Sequence, residues 1–403
     1  MFPETSSGIK NKCAPKLLYD HAQSNFMPVQ TDILIIGGGL AGLTAALHFQ
    51  KAGIAAILIE KDTYPHHKVC GEYVSNEILP YLQWLDADPA LLHPSLITKL
   101  QFSTLSGRSI YTRLPLGGFG VSRYQLDNFL YEKFVARGGC VIQDTVSNVE
   151  FKKDTFTVFT QTEQQFTARQ VIGAYGKRSS IDLKLKRQFM QHKSPFLAVK
   201  AHYSGEFEHD LVALHNFKGG YCGVSKIEDQ KINICYMADY KTFKTHKNTM
   251  IYQEKVLYQN KYLKDIFERC TPLFETHLTI SQLSFGAKEP VTDHILMIGD
   301  TAALIHPLCG NGMAMAVHSA KICTELLIQF LNGNISGRTA LEKRYIISWN
   351  QHFNSRLWMG RTLSAIFRKE YIADKLITAM VRMPFILPLL IKKTHGHLLK
   401  IKG

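Results

Sequence analysis

The sequence predicts an α/β fold: a Rossmann-like dinucleotide-binding domain interleaved with an antiparallel-sheet substrate domain and followed by a C-terminal helical segment. Three observations predict it. Residues 31–60 read as strand, glycine-rich turn, helix and strand. A second buried strand, Ile295-Leu-Met-Ile298, runs through Gly299-Asp300 toward a helix from Gly312 to Phe330. Between the two units, Pro195 to Asp239 alternates in strand fashion and contains Gly219-Gly220. The domains are therefore expected to be discontinuous. Dinucleotide-binding parts fall at 29–95, 118–190 and 286–335, substrate-domain parts at 96–117 and 191–285, and the helical segment at 336–403. Residues 1–28 are expected to be a loosely ordered extension.

That extension is polar, contains Pro3, Pro15 and Pro28, and lacks the apolar block of a secretory signal. Met27 stands just before the first strand and is a candidate alternative start. Thr31-Asp-Ile-Leu-Ile-Ile36 is apolar and rich in β-branched residues, as a strand buried on both faces should be. Gly37-Gly-Gly-Leu-Ala-Gly42 follows, then a helix Leu43–Lys51 that Gly53 suits as a C-terminal cap. Ala55–Ile59 is the second strand and ends at Glu60. Val69 to Leu85 reads as a helix, and Leu96 to Leu114 as a hairpin turning at Ser106-Gly107. Ser122 and Gln125 stand at capping-box spacing at the start of a helix to Arg137. Strands are expected at Val141–Asn148, Phe151–Thr160 and Gln170–Ala174, and mostly helix from Leu341 onward.

The glycine turn gives the first functional reading. Gly37 permits the tight turn, Gly39 lets the backbone approach a pyrophosphate, and Gly42 lets helix and strand pack closely. The helix start offers free amides and a positive dipole end to phosphates. Glu60, ending the next strand, can accept hydrogen bonds from both ribose hydroxyls of an adenosine. Only one such fingerprint is present. One dinucleotide is therefore held tightly, and NADPH or NADH, as transient electron donor, must dock another way.

Composition narrows the class. With 45% hydrophobic and 20% charged residues the chain is globular rather than disordered or fibrous. Eight cysteines without a Cys-x-x-Cys pair argue against a disulfide scaffold or zinc finger and fit a reducing, cytoplasmic compartment. No Ser-His-Asp or metal-ligand spacing stands out, so neither hydrolysis nor a metal site is expected. The net charge is +14, and twelve Lys/Arg against three Asp/Glu lie from Leu341 on. That stretch holds the apolar run Met383–Ile391 followed by Lys392 and Lys393. It reads either as a helical cover for the core with a solvated basic face, or as a segment resting on a membrane surface. No basic stripe interleaved with aromatics points to nucleic acid. Leu96–Pro115 and Phe196–Asp239 are apolar and aromatic, suiting an apolar, aromatic or lipid-borne small-molecule substrate.

Asp300, Pro307, Gly310 and Gly312 form the pattern Gly-Asp, then Pro seven residues after the Asp, then Gly-x-Gly. Here the chain resembles the flavoprotein superfamily of p-hydroxybenzoate hydroxylase and the geranylgeranyl reductases, over roughly Val29 to Leu327. The resemblance implies an FAD-binding domain of the glutathione reductase type, in which Asp300 bonds the ribityl chain of FAD. The Gly310–Gly312 loop would then lie beside the flavin ring, with the helix dipole of the next element on it. Arg123 in Ser122-Arg-Tyr-Gln-Leu-Asp127 would neutralise the FAD phosphates, with Asp127 bracing the helix start. Lys68-Val-Cys-Gly-Glu72 matches the Cys-Gly pair of the reductases, which makes Cys70 the candidate proton donor beside Gly71. Tyr221 is the candidate residue on the substrate side. Leu40, Ala41, Lys61, Gly176, Asn311 and Met313 complete the implied FAD contacts. His306, Cys309 and Met315 read as structural.

The departures matter equally. Tyr175 in Gly173-Ala-Tyr-Gly-Lys-Arg-Ser179 replaces the Asp of the hydroxylases, and Ala303 replaces their His. Around Tyr221 the Trp and Phe-Pro of the reductases are missing. Trp84, Trp349 and Trp358 form no Trp-x-Trp, which opposes a halogenase. The expected function is an FAD-dependent reductase or dehydrogenase acting on an isoprenoid or similarly apolar substrate. The alternative is an FAD monooxygenase hydroxylating an aromatic or polyketide-like compound. A non-catalytic prenyl-binding escort on the same fold is opposed by the complete glycine fingerprint.

Overall fold

The computed structural model describes residues 28–191, 194–246, 248–367, 369–383 and 385–401. Apart from Pro28, the predicted extension and Met27 lie outside the described residues.

Two sheets organise the chain. The first has the order Val291–Thr292, Ile295–Met297, Gln165–Gly173, Val29–Ile36, Ala56–Glu60, Cys140–Gln143. Its four central pairings are parallel, and Val146–Lys152 with Thr155–Thr160 extends it as an antiparallel meander. Ile33 to Ile36 are buried, as a strand covered on both faces requires. The helices Leu40–Lys51 and Gly312–Leu331 pack against each other in the core over this sheet.

The second sheet has nine strands, among them Ser95–Ser103, Ser109–Gly120, Phe196–Gly205, Leu211–Phe217, Gly220–Lys226 and Ile232–Asp239. It is antiparallel except where Leu211–Phe217 runs parallel to Ser95–Ser103. Strand periodicity splits its faces. Leu197, Val199, Ala201 and Tyr203 point to a core with Tyr252, Leu263 and Phe267 of two covering helices. Ala198, Lys200 and His202 point the other way, toward the first sheet's domain.

Several elements differ from the sequence reading. Val69–Leu85 is not one helix: it contains a strand Tyr73–Ser75, a short 3-10 turn and a helix Leu79–Trp84. Strand Tyr73–Ser75 pairs with Ser109–Gly120, so tertiary pairing overrode the helical pattern. The expected strand Val141–Asn148 is two strands, Cys140–Gln143 and Val146–Lys152. The Ser122 cap is half a box: its Oγ accepts Gln125 N at 3.1 Å, while Ser122 N donates to Glu228 at 2.7 Å. C-terminally, the helices Arg338–Phe367, Glu370–Arg382 and Ile386–Thr394 fold back over both sheets.

Candidate functional site

One cavity of about 1250 Å³ runs between the two sheets, larger than the roughly 300 to 1,000 Å³ of a single small-ligand pocket. Every residue singled out as cofactor-binding or catalytic lines it, except Gly42. A side chain at Gly42 would overlap the Gly37 carbonyl, so Gly42 acts by packing. Gly37 sits at φ +104°, where a Cβ would meet Ala174 O at 2.5 Å. Gly39 is different: its Cβ position is open and lies 3.5 Å from Arg123 Nη2 and 3.6 Å from Lys68 Nζ. Backbone and two cations thus converge where a diphosphate is expected.

The cations are held in place. Asp127, buried, accepts Arg123 Nε at 2.7 Å and Nη2 at 2.6 Å, and Lys68 Nζ at 3.3 Å. Arg123 and Lys68 hold its carboxyl below the usual range against the opposing effect of burial. Lys68 opens the quoted Lys68-Val-Cys-Gly-Glu72 run, but its charge was given no role there. Glu60 lines the cavity and is fixed beside the turn by Gly38 N at 2.5 Å and Asp62 N at 3.0 Å, one bond to each carboxylate oxygen. Lys61 is exposed beside Asp62. Tyr64 donates to Gly38 O and stacks on Tyr131 at 4.3 Å, covering the turn.

At the other end, Asp300 lines the cavity and its carboxylate has no hydrogen bond among the described residues. Lys288 Nζ holds the Asp300 and Lys177 carbonyls at 2.7 and 2.9 Å, and its own pKa is pushed down to about 8 by burial. Gly176, at φ +85°, donates to Thr301 Oγ1 at 2.8 Å, which ties the Tyr175 loop to the Asp300 turn. Pro307 opens a 3-10 turn that Gly310 ends at φ +60°. A Cβ added at Gly310 would lie 3.3 Å from the Tyr73 ring. Helices Leu40–Lys51 and Gly312–Leu331 both start at this cavity without a side-chain cap or an acidic first turn. Their first amides are therefore available to an anionic ligand. Asn311 lines the cavity as well, and its side-chain amide donates to Thr394 O at 2.8 Å and anchors the C-terminal helix.

The loop carrying Cys70 and Gly71 is staked at three consecutive carbonyls. Lys200 Nζ reaches Lys68 O at 3.2 Å, Lys177 Nζ reaches Val69 O at 3.0 Å, and Asn233 Nδ2 reaches Cys70 O at 3.2 Å. Lys200, fully buried, is also paired with Glu72, which accepts His202 Nε2 at 2.7 Å and Arg123 N at 2.8 Å. Lys200 and His202 keep the Glu72 carboxyl ionised despite its burial. A lysine and a histidine two residues apart on an otherwise apolar strand were the available signal.

Beyond the loop the cavity becomes an apolar chamber. Leu100, Phe102, Leu114 and Val212 of the second sheet face Met380, Leu387 and Ile391 of the C-terminal helices. Tyr221 stands at the junction, 5.7 Å from the His306 ring. Burial pushes its phenol well above its ordinary value, and its hydroxyl has no hydrogen-bond partner among the described residues. Cys309, pushed up to about 12 by burial, is a packed thiol, and Gly360 of the long helix lies against it. Tyr175 bonds Asp182 at 3.2 Å, next to the buried Asp182–Arg187 pair, so the residue replacing the hydroxylase Asp serves the fold.

Residues 30–345 match the family model described as FAD binding domain. The chain belongs to the FAD binding domain family. The dinucleotide this family holds is FAD, and its members are oxidoreductases, monooxygenases or halogenases. This FAD-binding chain is 22% identical to Conditioned medium factor receptor 1 of Dictyostelium discoideum, over 85% of this chain and 72% of that one. It is 23% identical to Digeranylgeranylglycerophospholipid reductase 2 of Methanothermobacter thermautotrophicus, over 87% and 91%. Among solved structures, the flavin-dependent brominase Bmp2 superposes with a TM-score of 0.75 at 17% identity, over 91% of this chain and 95% of that one. A geranylgeranyl bacteriochlorophyll reductase-like protein of Thermoplasma acidophilum superposes at 0.69 with 18% identity, over 93% and 94%. The solved structures show the fold, and the family model shows that the cofactor is FAD.

Proposed function

We propose that this chain is an FAD-dependent reductase or dehydrogenase acting on an apolar, isoprenoid- or lipid-like substrate. The observation that carries the reading is the continuity of the cavity from the Gly37–Gly39 turn to a chamber walled by Leu100, Phe102, Val212, Leu387 and Ile391. The residues fit FAD: the uncapped start of Leu40–Lys51 and two cations meet at Gly39, and the Asp300 carboxylate lines the cavity without a hydrogen bond among the described residues. The relative named as a digeranylgeranylglycerophospholipid reductase supports the substrate class.

When bound, FAD supplies two-electron hydride chemistry, and NADPH or NADH is the transient donor we assign to it. The chain's own residues do the rest. Arg123 and Lys68 would neutralise the diphosphate, and the uncapped start of Gly312–Leu331 would offer its positive dipole end to the reduced, anionic cofactor, a contribution of up to about 2 kcal/mol. Saturating a C=C bond takes a hydride and a proton, and Cys70 Sγ is the group we assign to the proton. Its loop is fixed by Lys200, Lys177 and Asn233, so the thiol is presented on a rigid support. Tyr221 donates its neutral hydroxyl to the substrate side.

The test is turnover with and without oxygen, using an apolar alkene and either nicotinamide. A reductase forms saturated product anaerobically. Product that forms only with O₂ identifies a monooxygenase instead and removes this reading.

A further inference from the structure

The helices that close the apolar chamber have a second face. In Ile386–Thr394, Leu387, Ile391 and Thr394 are buried, and all three line the cavity. The opposite side carries Leu389, Lys392 and Lys393, with Phe385 one turn before Leu389. Phe385 is 59% exposed and Leu389 55%. An ordinary surface helix turns polar residues outward; this one turns out large apolar residues followed by two lysines. In Glu370–Arg382, Ala373 and Met380 are buried while Tyr371, Ile372, Lys375 and Arg382 are exposed. Among the described residues, 7 of the 19 exposed large apolar side chains fall within 371–401, so they are concentrated rather than scattered. The same stretch has five Lys/Arg against the single acid Asp374, which accepts a hydrogen bond from Ser106 at 2.8 Å.

We propose that the exposed faces of Glu370–Arg382 and Ile386–Thr394 dock on an anionic lipid bilayer. Phe385 and Leu389 enter the headgroup–acyl boundary, and Lys392 and Lys393 meet the anionic headgroups. The docked face and the cavity are separated by one helix, about 10 to 12 Å across, so docking leaves only this wall between a lipid-borne substrate and the chamber. The contact lies along the surface. Among the described residues the one helix with the length and apolarity of a span is Gly312–Leu331, which is mostly buried in the core. The docking surface stands on its own residues; only the identity of what crosses it rests on the reductase reading.

The test is co-sedimentation of the flavin-loaded protein with vesicles of phosphatidylcholine alone and of phosphatidylcholine with phosphatidylglycerol. We expect binding to the anionic vesicles only, weakened by salt. Lys392→Gln with Lys393→Gln lowers the partition about 30-fold, at roughly fivefold per lysine. Phe385→Ser with Leu389→Ser lowers it at least about tenfold. Flavin content and the unfolding temperature of each variant confirm that these exposed positions leave the fold intact. Equal behaviour with both vesicle types, or unchanged binding by the variants, overturns the proposal. So does a dimer in solution that Phe385→Ser with Leu389→Ser converts to monomer, because the face is then a subunit interface. Turnover of a detergent-dispersed alkene separates the two readings. Vesicle binding without turnover refutes the reductase and leaves the surface standing, whereas turnover without vesicle binding refutes the surface alone.

Discussion

Asp127 grips Arg123 one helical turn away through two parallel hydrogen bonds of 2.7 and 2.6 Å, and it takes Lys68 at 3.3 Å as well. One buried carboxylate thus aims two cations at the glycine turn. Arg123→Gln is expected to weaken FAD binding by about 10- to 100-fold, the scale of a charge-assisted hydrogen bond, read by fluorescence titration of deflavinated protein. Asp127→Asn strips two cations of their counter-charge and should instead cost about 3 to 5 kcal/mol of stability in urea unfolding.

The glycines of the turn separate by readout. Gly42→Ala drives a Cβ into the Gly37 carbonyl and should lower the unfolding temperature of the flavin-free protein. Gly39→Ala has room and should leave that temperature unchanged while lowering flavin content. A Gly39→Ala protein that binds FAD normally would remove the phosphate role assigned to this turn.

Glu72 and Lys200 form a fully buried pair at the seam between the sheets. Lys200→Met alone leaves the carboxylate short of its counter-charge and should cost about 3 to 5 kcal/mol. Adding Glu72→Gln should recover most of that loss, because the stranded charge is gone. Chemical unfolding of the two variants checks the difference.

Three buried histidines give the fold an acid limit. Burial pushes His215 and His318 down to about 3, and burial with the nearby Lys321 pushes His48 to about 4. In the unfolded chain each takes a proton near pH 6.5, at about the ordinary value. The unfolded state therefore binds more protons below that pH, and stability falls on acidification by about 1.4 kcal/mol per pH unit per histidine. Urea midpoints measured from neutral pH downward should show this slope, and His215→Gln should remove one histidine's share.

Cys70→Ala should leave FAD binding intact and lower turnover by about 10²- to 10⁴-fold, the range of a positioned acid. Cys70→Ser should lie between. Single-turnover kinetics with substrate make the comparison, and an unchanged rate in Cys70→Ala would return Cys70 to a packing role.

What sequence reading reached was what neighbouring residues decide. The strand–glycine–helix unit, the Asp300-to-Gly312 run and the Ser122 cap are local patterns, and each formed where expected. Tyr73–Ser75 was misread as helix because its partner strand lies about 40 residues downstream, and pairing outweighed local periodicity. Lys200 was passed over because its meaning depends on Glu72, 128 residues away. The same holds for the chamber: Leu387 and Ile391 look like any amphipathic stripe until the fold sets them against Leu100 and Val212. Charge and apolarity of the tail were legible; which face goes in was not.

The bond from Asn311 to Thr394 has a temporal consequence. The start of the central helix is fastened to a segment that leaves the ribosome more than 80 residues after it. Until that stretch emerges, the apolar chamber lacks the wall that Met380, Leu387 and Ile391 give it, and its sheet face stays open to the surrounding solution.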